Sequence, residues 1–230
     1  QSLDLATKAG EALISPFTSM VDEGKEFSSQ MSSVAAISKL TSEEFTLLSE
    51  KAKEVGAKTA FSATEAAVGL EELKRAGQST KDSITTLEPV MNLVSATGAE
   101  MGAVAKLTAT QLGIFQGQGL TATEAVDVMN KTLGSSAQDF GDLNEALIKV
   151  SPLAGALNIP FVDLNATIGL LADQGIKGAD AGTALKIALQ RLTDPPADAK
   201  KALDKFGLSV KDISPESNNL KDIFEKLRAK

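Results

Sequence analysis

Apolar residues recur along this chain at helical spacing, and almost nothing alternates with period two. The pattern predicts an all-α fold. Its first regular stretch opens at Ser15-Pro16, an N-cap followed by proline at the first helical position. Phe17, Met20, Gly24, Phe27, Met31 and Val34 then step by three and four, the spacing of a coiled-coil seam. Two readings of that seam stay open. The helix lies along the rest of the domain, or it forms an oligomer seam continuing an upstream coil. Residues 1–40 are accordingly read as an N-terminal heptad-patterned helix, a candidate coiled-coil connection, and residues 41–230 as a helical core domain.

Capping signals divide that core. Thr41 with Glu44, Ser62 with Glu65, and Thr121 with Glu124 each match the capping box, in which side chain and backbone satisfy one another at a helix start. The first of these helices should end at Gly56 and the second at Gly77. Ser79 and Asp82 should start another, whose Pro89 predicts a kink or a later start. A helix carrying Val104, Leu107, Leu112 and Phe115 follows, then a loop from Gly113 to Gly119. Ser136 with Asp139 should open a helix bearing Leu143, Leu147 and Val150, with Pro152 and Pro160 bracketing a turn and a short helix. Asp163 should begin the next helix, ending at Gly175. A further helix should run through Ala199, Leu203 and Phe206 to Gly207. Leu208 to Lys211 reads as a brief extended piece, and a last helix spans Leu220 to Leu227.

Three segments share one plan: Phe61–Gly77, Leu120–Gly134 and Ile159–Gly175. Each has an apolar residue, a cap, an acid in the first turn, and an apolar face closed by glycine. Each precedes a second helix of similar length. This predicts helical hairpins stacked to bury faces that no hairpin can bury alone, making one compact multi-helix domain.

Composition narrows the chemistry. Cys, His, Trp and Tyr are all absent. The commonest general base, the usual zinc ligands and the thiolate nucleophile go with them. No Ser-x-x-Lys occurs, so that nucleophile–base pair has no motif. The net charge of −7 repels phosphate backbones, so direct nucleic-acid binding is not expected. No run is apolar enough for a membrane span, and nothing matches the EF-hand spacing. No cofactor, metal ligand or catalytic residue is assigned, and a carboxylate pair hidden among the acids is the one enzymatic arrangement left open.

The sharpest local feature is Ala172–Pro196, ADQGIKGADAGTALKIALQRLTDPP. Its glycines resemble a phosphate cradle, yet no Lys stands between Gly182 and Thr183 and no strand precedes Gly175, so the P-loop pattern fails. The structural reading is that Gly175 ends one helix, Gly178 turns the chain, and Gly182 lets two helices approach closely.

From about Met20 to Leu227 the chain resembles the core region of phage tail tape-measure proteins of the minor-tail type. Three stretches carry the likeness in order and spacing: Met31–Gly77 (MSSVAAISKLTSEEFTLLSEKAKEVGAKTAFSATEAAVGLEELKRAG), ALIKVSPLAGAL from Ala146, and Gly169–Asp212. The resemblance implies a structural and assembly module, not an enzyme, that helps set tail length and acts in tail assembly and DNA ejection. It implies tail-tube, tail-tip or baseplate, and tail-chaperone proteins as partners, with a homo-oligomer through the N-terminal helix as a further candidate. It places the protein in the lumen of a virion tail assembled in the host cytoplasm. It carries over no catalytic residue. The alternative is a membrane-active or hydrolytic helical domain used at ejection; membrane contact stays open.

Overall fold

The computed structural model describes residues 23–229. The elements are α1 (residues 23–38), α2 (Ser42–Lys58), α3 (Ala63–Arg75), α4 (Thr80–Thr97), α5 (Met101–Ile114), a 3-10 turn (Gln116–Gln118), α6 (Ala122–Ser135), α7 (Phe140–Ala156), α8 (Phe161–Asp173), α9 (Gly178–Thr193), α10 (Ala197–Lys205), α11 (Val210–Ile213) and α12 (Leu220–Arg228). Among the described residues there is no strand, and the fold is all-α. The chain divides into two compact units, one built from residues up to Val94 with Glu100–Lys106, the other from Ser95–Ala99 with Leu107 onward.

The helix starts follow local chemistry. Glu44 N–H donates to Thr41 Oγ1 at 3.2 Å while Thr41 N–H donates to Glu44 Oε2 at 3.0 Å. The same reciprocal pair forms at Ser62 and Glu65 and at Thr121 and Glu124. Removing such a cap costs about 1 kcal/mol. A fourth box escapes the sequence reading. The N-cap of α7 is Asp139, paired with Asp142, while Ser136 closes α6 by donating to the Thr132 carbonyl at 2.6 Å.

Several boundaries differ from expectation, each for a physical reason. α2 continues past Gly56 to Lys58, because Gly56 is there for space: an added Cβ would stand 2.7 Å from Ala63 N. α4 runs through Pro89 and α7 through Pro152. Each proline removes an N–H and leaves a carbonyl four residues back without its helical partner. Those carbonyls belong to Thr85 and Ile148, both exposed residues, which lowers the cost of carrying the proline. Gly113 and Ile114 stay in α5, and the expected loop shrinks to the 3-10 turn. Pro160, not Asp163, is the N-cap of α8. Leu208 to Lys211 is not extended, since Ser209 and Asp212 form a fifth capping box that starts α11.

In the first unit α3 lies mainly along α2. Leu48, Ala52 and Val55 face Ala66, Leu70 and Leu73 across a buried layer. Thr80 Oγ1 donates to Glu44 Oε1 at 2.9 Å and joins the starts of α4 and α2. Gln30 of α1 donates to Glu71 of α3.

In the second unit the hairpins α6–α7 and α8–α9 stack like to like. α7 lies on α9 and α6 on α8 more extensively than either does on its own hairpin partner. Leu143, Ala146, Leu147 and Val150 of α7 and Ala181, Leu185 and Leu189 of α9 are buried. The crossing is tight at Gly182, where an added Cβ would fall 2.5 Å from the Ala146 carbonyl oxygen and 2.8 Å from Lys149 Cβ. Gly155 of α7 meets Ile114 of α5 in the same way, at 2.6 Å from Cγ2. Phe115 packs edge-on against Phe161 at 5.1 Å.

These contacts give a pair of opposite outcomes for one chemical change. Gly182→Ala should destabilise by about 1–3 kcal/mol, since a backbone carbonyl blocks the new methyl. Gly113→Ala, in open space within an exposed turn of α5, should stabilise by about 0.5–1 kcal/mol through helix propensity. Urea unfolding midpoints of the two variants check the signs.

Candidate interaction surfaces

The glycine-rich turn is built by helix termination and close packing. Gly175 has φ +84° and follows the C-cap Gln174 of α8. Its N–H donates to Ala172 O at 2.9 Å and the next N–H, of Ile176, to Leu171 O at 2.9 Å. That is the Schellman arrangement, which needs a residue at ease with positive φ. Gly178, at φ +57°, opens α9, whose N-cap Lys177 supplies no side-chain bond. Glu145 of α7 takes that place: its Oε2 accepts from Ala179 N–H at 3.2 Å, and a Cβ on Gly178 would stand 3.0 Å from the same oxygen. The carboxylate occupies the positive end of the helix where an anion would sit in a phosphate site.

Other titratable groups serve the same local ends. The Glu44 carboxyl is held below the usual carboxylate range chiefly by the Thr41 backbone N–H and then by the Thr80 hydroxyl. Glu124 is lowered by the Thr121 side chain and backbone, and Asp212 by the Ser209 side chain and backbone. The Lys58 ammonium, 2.5 Å away, lowers Glu54. Every buried polar side chain among the described residues is uncharged: Ser83, Thr86, Thr108, Gln111, Thr132, Ser151, Asn165 and Ser214. Among the described residues no cluster of acids has the makings of a metal site, and no helix is long and apolar enough to cross a membrane.

The seam residues separate. Phe17 and Met20 lie outside the described residues. Gly24 is exposed and Phe27 half-buried, with Lys53 Nζ 5.3 Å from the centre of its ring. Met31 and Val34 are buried, at 1% and 0% exposure. The last two positions of the seam are therefore spent within the chain's own first unit.

An apolar groove of about 650 Å³ runs between α9, α10, α11 and α12. Leu192, Leu203, Phe206, Phe224 and Leu227 line it, and Arg191 is the one lining residue with a polar side chain. Phe206 is 53% exposed, Phe224 46% and Leu227 37%. Helical periodicity puts Phe206 on a buried face, but α10 ends at Lys205 and Phe206 becomes its C-cap. The groove itself has no motif in the sequence; its one advance signal was the amphipathic spacing of Leu220, Ile223, Phe224 and Leu227.

A family model for phage-related minor tail proteins matches residues 49–230. The chain belongs to that family. It is 33% identical over 89% of its length to the tape measure protein of Pneumococcus phage Dp-1, and 28% identical over 97% to a probable tape measure protein of Escherichia phage P2. It spans 18% and 27% of those two relatives' lengths. No solved structure matches it. For a minor tail protein of this family, the matched span runs from within α2 to beyond α12 and includes the Gly175–Gly182 turn.

Because its lowered carboxylates are capping and ion-paired groups, the sign of the acid response follows. A folded-state pKa below the unfolded value contributes stability above the unfolded pKa, and that stability is lost as pH falls through the folded value. Thermal midpoints should hold level from about pH 7 to 5.5 and fall steadily below the ordinary glutamate value. Glu44→Gln together with Glu124→Gln should flatten that fall, as circular dichroism melts across the range would show.

Proposed function

We propose that this chain is a structural and assembly module of a phage or prophage tail tape-measure protein. The observation that carries the reading is the family match over residues 49–230 with two relatives named as tape measure proteins. The geometry supports it. Charged side chains go to helix caps and exposed pairs, and the interior is given to helix packing. On this reading the module is not an enzyme. It acts by presenting shaped helical surfaces to tail-tube, tail-tip or baseplate, and tail-chaperone proteins. The complete polypeptide would lie in the tail lumen, assembled in the bacterial host cytoplasm, where its extended length helps set tail length and its release accompanies DNA ejection.

Residues 1–40 serve in this proposal as the connection to the rest of the polypeptide. With Met31 and Val34 committed to the first unit, any seam between copies would use Phe17, Met20, Gly24 and Phe27. The membrane-active or hydrolytic alternative has no observation in its favour.

The test is an in-frame deletion of residues 41–230 in the phage that encodes the chain. The expected result is failure to form infectious tails, read by electron microscopy and plaque counts. A matched deletion of rod-like sequence elsewhere in the same polypeptide should give tails that assemble but are shorter. Tails of normal length and full infectivity from the 41–230 deletion would overturn the assignment.

A further inference from the structure

We propose that the groove between α9, α10, α11 and α12 is a docking site for an amphipathic α-helix of a partner protein, one whose apolar stripe is flanked by carboxylates. The proposal concerns this face alone and does not depend on the tail reading.

The shape selects the class of occupant. A small-molecule site buries most of its ligand and sets a few polar groups around it. Here the walls themselves stand open, with Phe206, Phe224 and Leu227 each more than a third exposed, and the lining offers a single polar side chain. An open trough floored by leucine and phenylalanine fits the helix-in-groove mode, in which residues at i, i+3, i+4 and i+7 supply the anchors. The two Phe rings on facing walls are the kind of large, partly covered apolar groups that carry most binding energy when desolvated.

Charge selects the chemistry of its flanks. The chain as a whole is acidic, at −7, yet the groove is edged by cations. Arg191 lines it directly. Arg228 follows Phe224 by four residues and so shares its helix face, and Lys205 follows the lining residue Ala202 by three. None of these three has a carboxylate within ion-pair distance among the described residues. Nearby acids are already engaged. Asp198 pairs with Lys201 at 3.2 Å and Asp194 with Lys200 at 2.9 Å, Glu225 lies 3.9 Å from Lys221, and Asp212 caps α11. Asp204 stands on the face of α10 away from Phe206. An apolar trough with uncompensated cations along its edges is complementary to a helix carrying Glu or Asp beside its apolar stripe.

Fluorescence anisotropy with the full chain tests this. The probes are two labelled helical peptides of about 18 residues with leucine at i, i+3, i+4 and i+7, one flanked by Glu and one by Lys. The Glu peptide should bind saturably, several-fold more weakly in about 0.5 M than in 0.05 M salt, and the Lys peptide at least about tenfold more weakly than the Glu peptide. Phe206→Ser with Phe224→Ser should weaken the Glu peptide about tenfold or more. Arg191→Glu with Arg228→Glu, both exposed and free to change without touching the core, should reverse the preference between peptides. Equal binding of the two peptides, no saturable binding of the Glu peptide, or indifference to the charge reversal would overturn the proposal. Two other outcomes would also overturn it. One is binding to phosphatidylglycerol vesicles in place of the peptide. The other is self-association on sedimentation that the double Phe variant abolishes, which would make a second copy the occupant.

Discussion

Between α7 and α9 two helix backbones meet with no side chain in the gap. Gly182 sits against the Ala146 carbonyl so closely that a single added methyl has nowhere to go. Small residues at Ala146, Ala181 and Gly182 bring the axes together, and the larger Leu143, Leu147, Leu185 and Leu189 then interdigitate on either side. Much else in the second unit follows from that contact. It fixes α9 against α7, which sets the height at which Glu145 meets the N-terminus of α9. It also forces the hairpins to stack like to like, with α6 following on α8. α11 packs on α9 and on α12, and α11 and α12 supply one wall of the apolar groove.

Electrostatics in this protein is organised around helix ends. Capping boxes at Thr41, Ser62, Thr121, Asp139 and Ser209 satisfy N–H groups that a helix leaves open. Among the carboxylates concerned, those of Glu44, Glu124 and Asp212 are held below their ordinary range by those bonds. A protein arranged this way keeps its charges at the surface and its interior for packing. The groove departs from that economy. There, apolar side chains stay uncovered and neighbouring cations stay unpaired, a combination that costs solubility and is relieved by a complementary surface.

Much of the fold was legible in the sequence. All-α class, three of the capping boxes, the Gly77 and Gly175 terminators and the span of the last helix all depend on residues within one or two turns of each other. Local chemistry decides such features. The boundaries that differ each turn on what surrounds the residue. Gly56 looks like a terminator but stands inside a helix, because glycine also serves where another backbone comes close. Pro89 and Pro152 look like breaks but are carried through, and the carbonyls they orphan belong to exposed residues. Ser136 and Asp139 are both good N-caps, and only the path of α6 shows that Ser136 closes the preceding helix.

The candidate site divides in the same way. Local pattern alone excludes a phosphate cradle at the Gly175–Gly182 turn, since neither a strand nor a P-loop lysine is present, and three stretches in order, that turn among them, carry the family resemblance. Local pattern also sets the identity of each amphipathic face. Which faces meet is settled by packing. Glu145 reaches α9 from 34 residues away, and Gly182 finds Ala146 at a similar remove. Phe206, Phe224 and Arg191 come from three helices to edge one groove. Nothing in a local pattern encodes those distances. Helical periodicity specifies that an apolar stripe must be covered, while the choice of cover depends on how all the helices share a limited interior, and that is settled only when they pack.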